Sequence, residues 1–168
     1  LPQAINVMLD PADCGPAVIS MSQDVQGEAF DYPEIFFEEK IHQIRRIHPD
    51  PNQIQKAADK LKKSKQPIII SGGGVLYSEA EEEISAFAKK HNIPVTATVM
   101  GIGCMNKDDP YYISAIGCLG EGSSNNLATD TDLALAVGTK LGDFTTGSWT
   151  NFENENFQLV SINTSRFD

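Results

Sequence analysis

The stretch PIIISGGGVLYSEAEEEI, from Pro67 to Ile84, constrains the fold more than any other in the chain. Ile68, Ile69 and Ile70 form a short, wholly β-branched apolar run, the pattern of a strand buried on both faces. Three glycines follow at once, and Ser78 stands three residues before Glu81. That pairing is a capping box. It predicts a helix opening at Ser78, with Ala80, Ile84, Phe87 and Ala88 sharing a face. A strand that passes through glycines into an amphipathic helix is the unit from which parallel sheets are wound.

The same rhythm runs on either side. Asp50-Pro51 supplies an N-cap with proline at the first helical position. Ile54, Ala57, Ala58 and Leu61 then fall at i, i+3, i+4 and i+7, while Lys60, Lys62, Lys63 and Lys65 load the end that the helix dipole makes favourable to cations. Downstream, HNIPVTATVM turns at Asn92 and predicts a strand over 94–98. Residues 122–130 read as a short helix, and DLALAVG (132–138) and FQLVSIN (157–163) as buried strands. The expected fold class is α/β, a doubly wound parallel sheet of Rossmann-like architecture.

Residues 1–49 stand outside this rhythm. CGPAVISMSQDV predicts one strand around Ala17–Met21, and DYPEIFFEEKIHQIRRIHPDP is a charged, proline-marked connector. The expected division is therefore 1–49, the tail of a preceding domain plus connector, and 50–168, the Rossmann-like domain. A start at Leu1 and an end at Asp168, just after an apolar run, read as a piece of something longer.

Charge limits the partners. Thirteen basic against 23 acidic residues give a net charge of −10, which argues against nucleic acid and against an anionic membrane surface. No apolar stretch approaches the roughly 18–20 residues of a membrane span. The three cysteines, Cys14, Cys104 and Cys118, are odd in number and lack CxxC spacing, which reads as idle thiols in a reducing, cytoplasmic setting.

Ligands of open parallel sheets sit beyond the carboxyl ends of the strands. Glycine-bearing loops fall there at Gly72–Gly74, Gly101–Gly103, Gly117–Gly122 and Gly138–Gly147. Such loops suit phosphate, and they equally suit tight turns; both readings stand. A nicotinamide site is disfavoured. Tyr77 occupies the third glycine of GxGxxG, and 95–98 holds no acidic residue for a ribose. The three histidines, His42, His48 and His91, lack zinc spacing, and no GxSxG occurs. No catalytic residue and no metal ligand can be named.

GPAVISMSQDV, then a connector, PIIISGGG, DLALAVGTKLGDFTTG and LVSIN together resemble the thiamine-diphosphate-dependent enzymes, from the end of their pyrimidine-binding domain through most of their central domain. QDVQGEAFDYPEIFFEEKIHQIRR, SGGGVLYSEA and GTKLGDFTTGSW narrow the likeness to the ring-opening C–C hydrolases of myo-inositol catabolism, with acetolactate synthase-like members as the nearest alternative. The resemblance implies thiamine diphosphate and magnesium in a full-length parent, held by a glutamate of the pyrimidine domain and a GDG…N element of the diphosphate domain. Neither is present, since Gly142-Asp143 runs into Phe144. The chain alone is thus expected to be inactive, with the missing pyrimidine and diphosphate domains and further copies of the parent as its partners.

Flavin-binding relatives hold FAD on the central domain. By that resemblance Gly72, Gly73, Gly74, Gly138, Thr139, Lys140 and Asn163 are the candidate cofactor-binding residues. Leu119 stands where the flavin pattern has histidine, Lys140 where it has arginine, and Asn163 and Thr164 near expected aspartates. Lysine lacks the planar fork of arginine. These departures argue against FAD and leave a vacant site or one for an ADP-like nucleotide as the expectation. A free-standing nucleotide or flavin module is the reading from a different class, but it would have no use for the GPAVISMSQDV segment.

Overall fold

A computed structural model describes residues 1–165. The chain divides into two compact units, Leu1–His48 and Pro49–Asp168. The last three positions of the expected 50–168 domain lie outside the described residues.

The first unit has little regular structure. It contains α1 (Pro2–Met8), α2 (Gln23–Gln26) and one 3-10 turn, Glu34–Phe36. Asp10 organises the turn after α1: its carboxylate accepts the amides of Ala12 and Asp13 at 2.9 and 3.0 Å, and Arg45 lies 3.7 Å away. Those two amides, with the Arg45 charge, hold the carboxyl below its ordinary range against a small opposing effect of burial. None of the unit's residues is buried. The strand expected around Ala17–Met21 does not form, because an isolated extended segment has no neighbour to complete its hydrogen bonds.

The second unit is a five-stranded, all-parallel sheet. Its elements are α3 (Pro51–Lys63), β1 (Pro67–Ser71), α4 (Gly73–Tyr77), α5 (Glu81–His91), β2 (Val95–Ala97), β3 (Tyr112–Ala115), α6 (Gly122–Asp130), β4 (Leu133–Val137), α7 (Asp143–Thr146) and β5 (Gln158–Ile162). Strand order is β3-β2-β1-β4-β5, so β1 is central and the chain reverses its direction of travel beside it. Ile69 pairs with Val95 on one side and Leu135 on the other.

Two-residue periodicity sorts the core into two layers. Ile69, Val95, Ala97, Leu133 and Leu135 cluster with Ile84 and Ala88 of α5. Ile68, Ile70 and Ala134 face the opposite way, towards Ile116 and Ala128 of α6. The isoleucine triplet is at most 1 % exposed, and each such side chain contributes about 1.5–3 kcal/mol by burial.

Helix α3 starts as its sequence requires. The Asp50 side chain accepts the Asn52 amide at 2.7 Å, and Pro51 occupies the first turn. The capping box at Ser78 is not realised. The glycines wind directly into the short α4, so Ser78 closes that helix instead of opening the next. Glu79 then takes a left-handed conformation, and α5 begins at Glu81 behind Ala80. Strand β3 lies in a stretch the sequence leaves unassigned. Its Tyr112, Ser114 and irregular pairing with β2 hide it from periodicity.

Candidate functional site

The place to look is the carboxyl edge beside β1 and β4, where the winding reverses. Five of the seven candidate residues meet there. The Gly72 amide donates to Val137 O at 2.9 Å, and the Gly74 amide to Gly138 O at 2.8 Å. The Gly138 amide donates to Ile162 O at 2.8 Å, and Asn163 Nδ2 to Thr139 O at 3.2 Å. Thr139 is buried and Lys140 exposed. Gly73 faces another way: a Cβ there would lie 3.2 Å from Met100 O.

The glycines matter here for approach. A Cβ on Gly74 would stand 2.6 Å from Gly138 Cα, and one on Gly138 would stand 2.7 Å from Gly74 Cα. Gly138 also has φ +57, a conformation that costs an L side chain about 1–2 kcal/mol. The two loops are therefore packed backbone to backbone, with the Gly72 and Gly74 amides committed to carbonyls. Those two donors have nothing left for a pyrophosphate.

The adjoining loops are pinned as firmly. Asn125 of α6 accepts the Gly117 amide at 2.9 Å and donates to Gly117 O at 3.0 Å, while Asn151 Nδ2 reaches the same Asn125 Oδ1 at 3.3 Å. The Cys118 amide donates to Phe144 O at 2.8 Å, tying the loop after β3 to α7. Sequence reasoning passed over Asn125, which carries no motif. Trp149 has φ +67, donates its amide to Thr146 Oγ1 at 3.0 Å, and lies with its ring centroid 6.0 Å from that of Phe152.

Nucleophiles are not activated on this edge. Burial pushes the Cys104 thiol up, outweighing the Ser71 hydroxyl that favours its thiolate. Burial likewise raises the Tyr112 phenol. His91 belongs to the last turn of α5 and packs on Phe87 with 4.5 Å between ring centroids. Among the described residues, no group of three His, Cys, Asp or Glu side chains could hold a metal ion. Asp143 opens α7, and its carbonyl accepts the Ser148 amide at 3.0 Å.

The opposite end of the sheet carries a polar clamp. The Asp132 carboxylate accepts the Ser64 hydroxyl and the amides of Lys65 and Gln66, the latter two at 2.8 and 3.1 Å. It thereby joins the α3–β1 connection to the start of β4. Partial burial pushes the carboxyl up, but the bonds from Ser64, Lys65, Gln66 and its own amide bring it below the ordinary range.

Fold and edge together define a Rossmann-like domain of the doubly wound class, with its switch point closed by its own loops. The family described as "Thiamine pyrophosphate enzyme, central domain" matches residues 54–168, and the chain belongs to it. Curated relatives extend the likeness through the first unit. The chain is 43% identical over 164 residues to a 3D-(3,5/4)-trihydroxycyclohexane-1,2-dione hydrolase of Clostridium botulinum. It is 41% identical over 165 residues to one of Bacillus cereus and 40% to one of Bacillus thuringiensis. Each alignment covers 98% of this chain and 26% of the relative, so the chain spans about a quarter of their length.

Proposed function

We propose that this chain is the structural centre of a thiamine-diphosphate-dependent enzyme that opens the ring of trihydroxycyclohexane-1,2-dione by C–C hydrolysis in myo-inositol catabolism. The observation carrying this reading is the 40–43% identity over 98% of the chain to relatives bearing that name. Residues 1–49 form the tail of the pyrimidine-binding domain and the connector, and residues from 50 onward the central domain. The full-length protein is a cytoplasmic homo-oligomer that uses magnesium with the cofactor.

Thiamine diphosphate supplies the carbanion chemistry of such enzymes. This chain's residues contribute position. The Gly74–Gly138 contact, the Asn125 clamp and the Asp132 clamp give the central domain a rigid frame between flanking domains. No proton transfer is assigned to any side chain in it.

The edge formed by Gly72, Gly73, Gly74, Gly138, Thr139, Lys140 and Asn163 takes an ADP-like nucleotide in preference to FAD. Leu119, Lys140 and Asn163, which stand where flavin-binding relatives carry other polar residues, support this reading.

Turnover assays of the full-length protein with thiamine diphosphate and magnesium test the activity. Ring opening of the cyclohexanedione without condensation of pyruvate is the expected outcome. Pyruvate condensation to acetolactate would assign the protein to the acetolactate synthase-like branch instead.

A further inference from the structure

Gly147, Ser148 and Trp149 are consecutive left-handed residues, with φ of +57, +54 and +67. The first explains itself, because Gly147 caps α7 as glycine does at many helix ends. The next two have no such reason. L residues visit this region singly and at a cost, not as a run. Neither serine nor tryptophan breaks a right-handed helix, so α7 has an unstrained alternative in which it continues through them. Backbone strain of this kind persists only where the surrounding structure holds it.

The holder is Thr146, fully buried at the last position of α7. Its hydroxyl accepts the Trp149 amide at 3.0 Å and donates to Gly142 O at 3.2 Å. Its carbonyl accepts the Asn151 amide at 3.3 Å, so one residue grips the turn on both sides. The grip runs further. Asn151 Nδ2 donates at 3.3 Å to Asn125 Oδ1, the same oxygen that accepts the Gly117 amide at 2.9 Å. The loops that follow β3 and β4 are thus tied together through one strained turn. A change of hand at two residues redirects the chain after them, and would carry Asn151 away from Asn125.

We propose that residues 147–149 are a latched strap. The Thr146 hydroxyl keeps the turn left-handed; its release lets the turn relax to right-handed backbone and loosens the Asn125 hold on the Gly117 loop. The device couples two loops bordering the carboxyl edge, and it stands whether or not that edge takes a nucleotide.

Trp149 is the only tryptophan of the chain, so its emission reports the turn, while hydrogen exchange of the Gly117 amide reports the far end of the coupling. Thr146→Val removes the hydroxyl at nearly constant volume. It should shift the Trp149 emission maximum and speed exchange of the Gly117 amide by about tenfold or more, the mark of local opening. Adding Ser148→Gly to that variant should return both towards the parent values, because glycine takes the left-handed form without strain. Either readout unmoved by Thr146→Val, or no recovery on adding Ser148→Gly, would overturn the proposal. Ser148→Gly alone answers the question even if Thr146→Val fails to fold. Ser148 is exposed, so glycine there should raise the melting midpoint, by about 1–4 °C, where glycine ordinarily lowers it. An unchanged or lower midpoint would also overturn the proposal.

Discussion

Gly74 shows how one residue type serves two readings that only contacts can separate. Three glycines after a strand look the same in a phosphate loop and in a close-packed joint. The structure places Gly74 against Gly138, with a Cβ position 2.6 Å from the neighbouring Cα. Gly74→Ala should therefore destabilise the domain by about 1–3 kcal/mol, the usual cost of overpacking. Gly122 is the matched control: nothing lies within 4 Å of a Cβ there, and it opens α6. Gly122→Ala should leave the urea midpoint unchanged or slightly raised, since alanine favours helix. The same packing bears on flavin. Each charged hydrogen bond forgone is worth about 1.5–3 kcal/mol, and each ~1.4 kcal/mol is tenfold in affinity. FAD added at micromolar concentration should leave Trp149 emission unchanged; saturable quenching would contradict the closed edge.

Elements were legible in proportion to how local their causes are. The Asp50-Pro51 start, the Ile68–Ile70 strand, α6 and β4 all follow from residues in or beside them. Strand β5 forms where expected but is largely exposed and not buried, because it lies at the edge of the sheet with a pairing partner on one side only. Ser78 misled because its role depends on the glycines folding into α4, and β3 escaped because only pairing with β2 makes it a strand. Asp132 likewise shows its purpose only when Ser64, Lys65 and Gln66 come to it across the fold. Its carboxyl is held below the ordinary range, so its stabilising contribution is complete above the unfolded pKa of ~3.9 and is lost as pH falls through the lower folded value. Asp132→Asn should lower the thermal midpoint at neutral pH. The gap between variant and parent should close on acidification below pH ~4. A gap that widens in acid would show that the carboxylate is not the stabilising form. At the same scale, deleting residues 1–40 should leave a cooperative melt, since no residue of 1–48 is buried.

For the whole molecule, fold class and family were readable because strand–glycine–helix units and long quoted stretches persist in the chain. At the carboxyl edge, five of the seven residues named by resemblance are joined by hydrogen bonds that no spacing encodes. The Gly72 and Gly74 amides and the Asp132 carboxylate are committed within the fold, and burial pushes the Cys104 thiol up. On the proposed function, the chain is a frame whose catalytic parts belong to other domains. The most direct measurement gives the purified 168-residue chain thiamine diphosphate, magnesium and trihydroxycyclohexane-1,2-dione, beside the full-length protein under the same conditions. Ring opening by the full-length protein and only the uncatalysed rate with the chain alone are expected; turnover by the chain would overturn the proposed role as a frame.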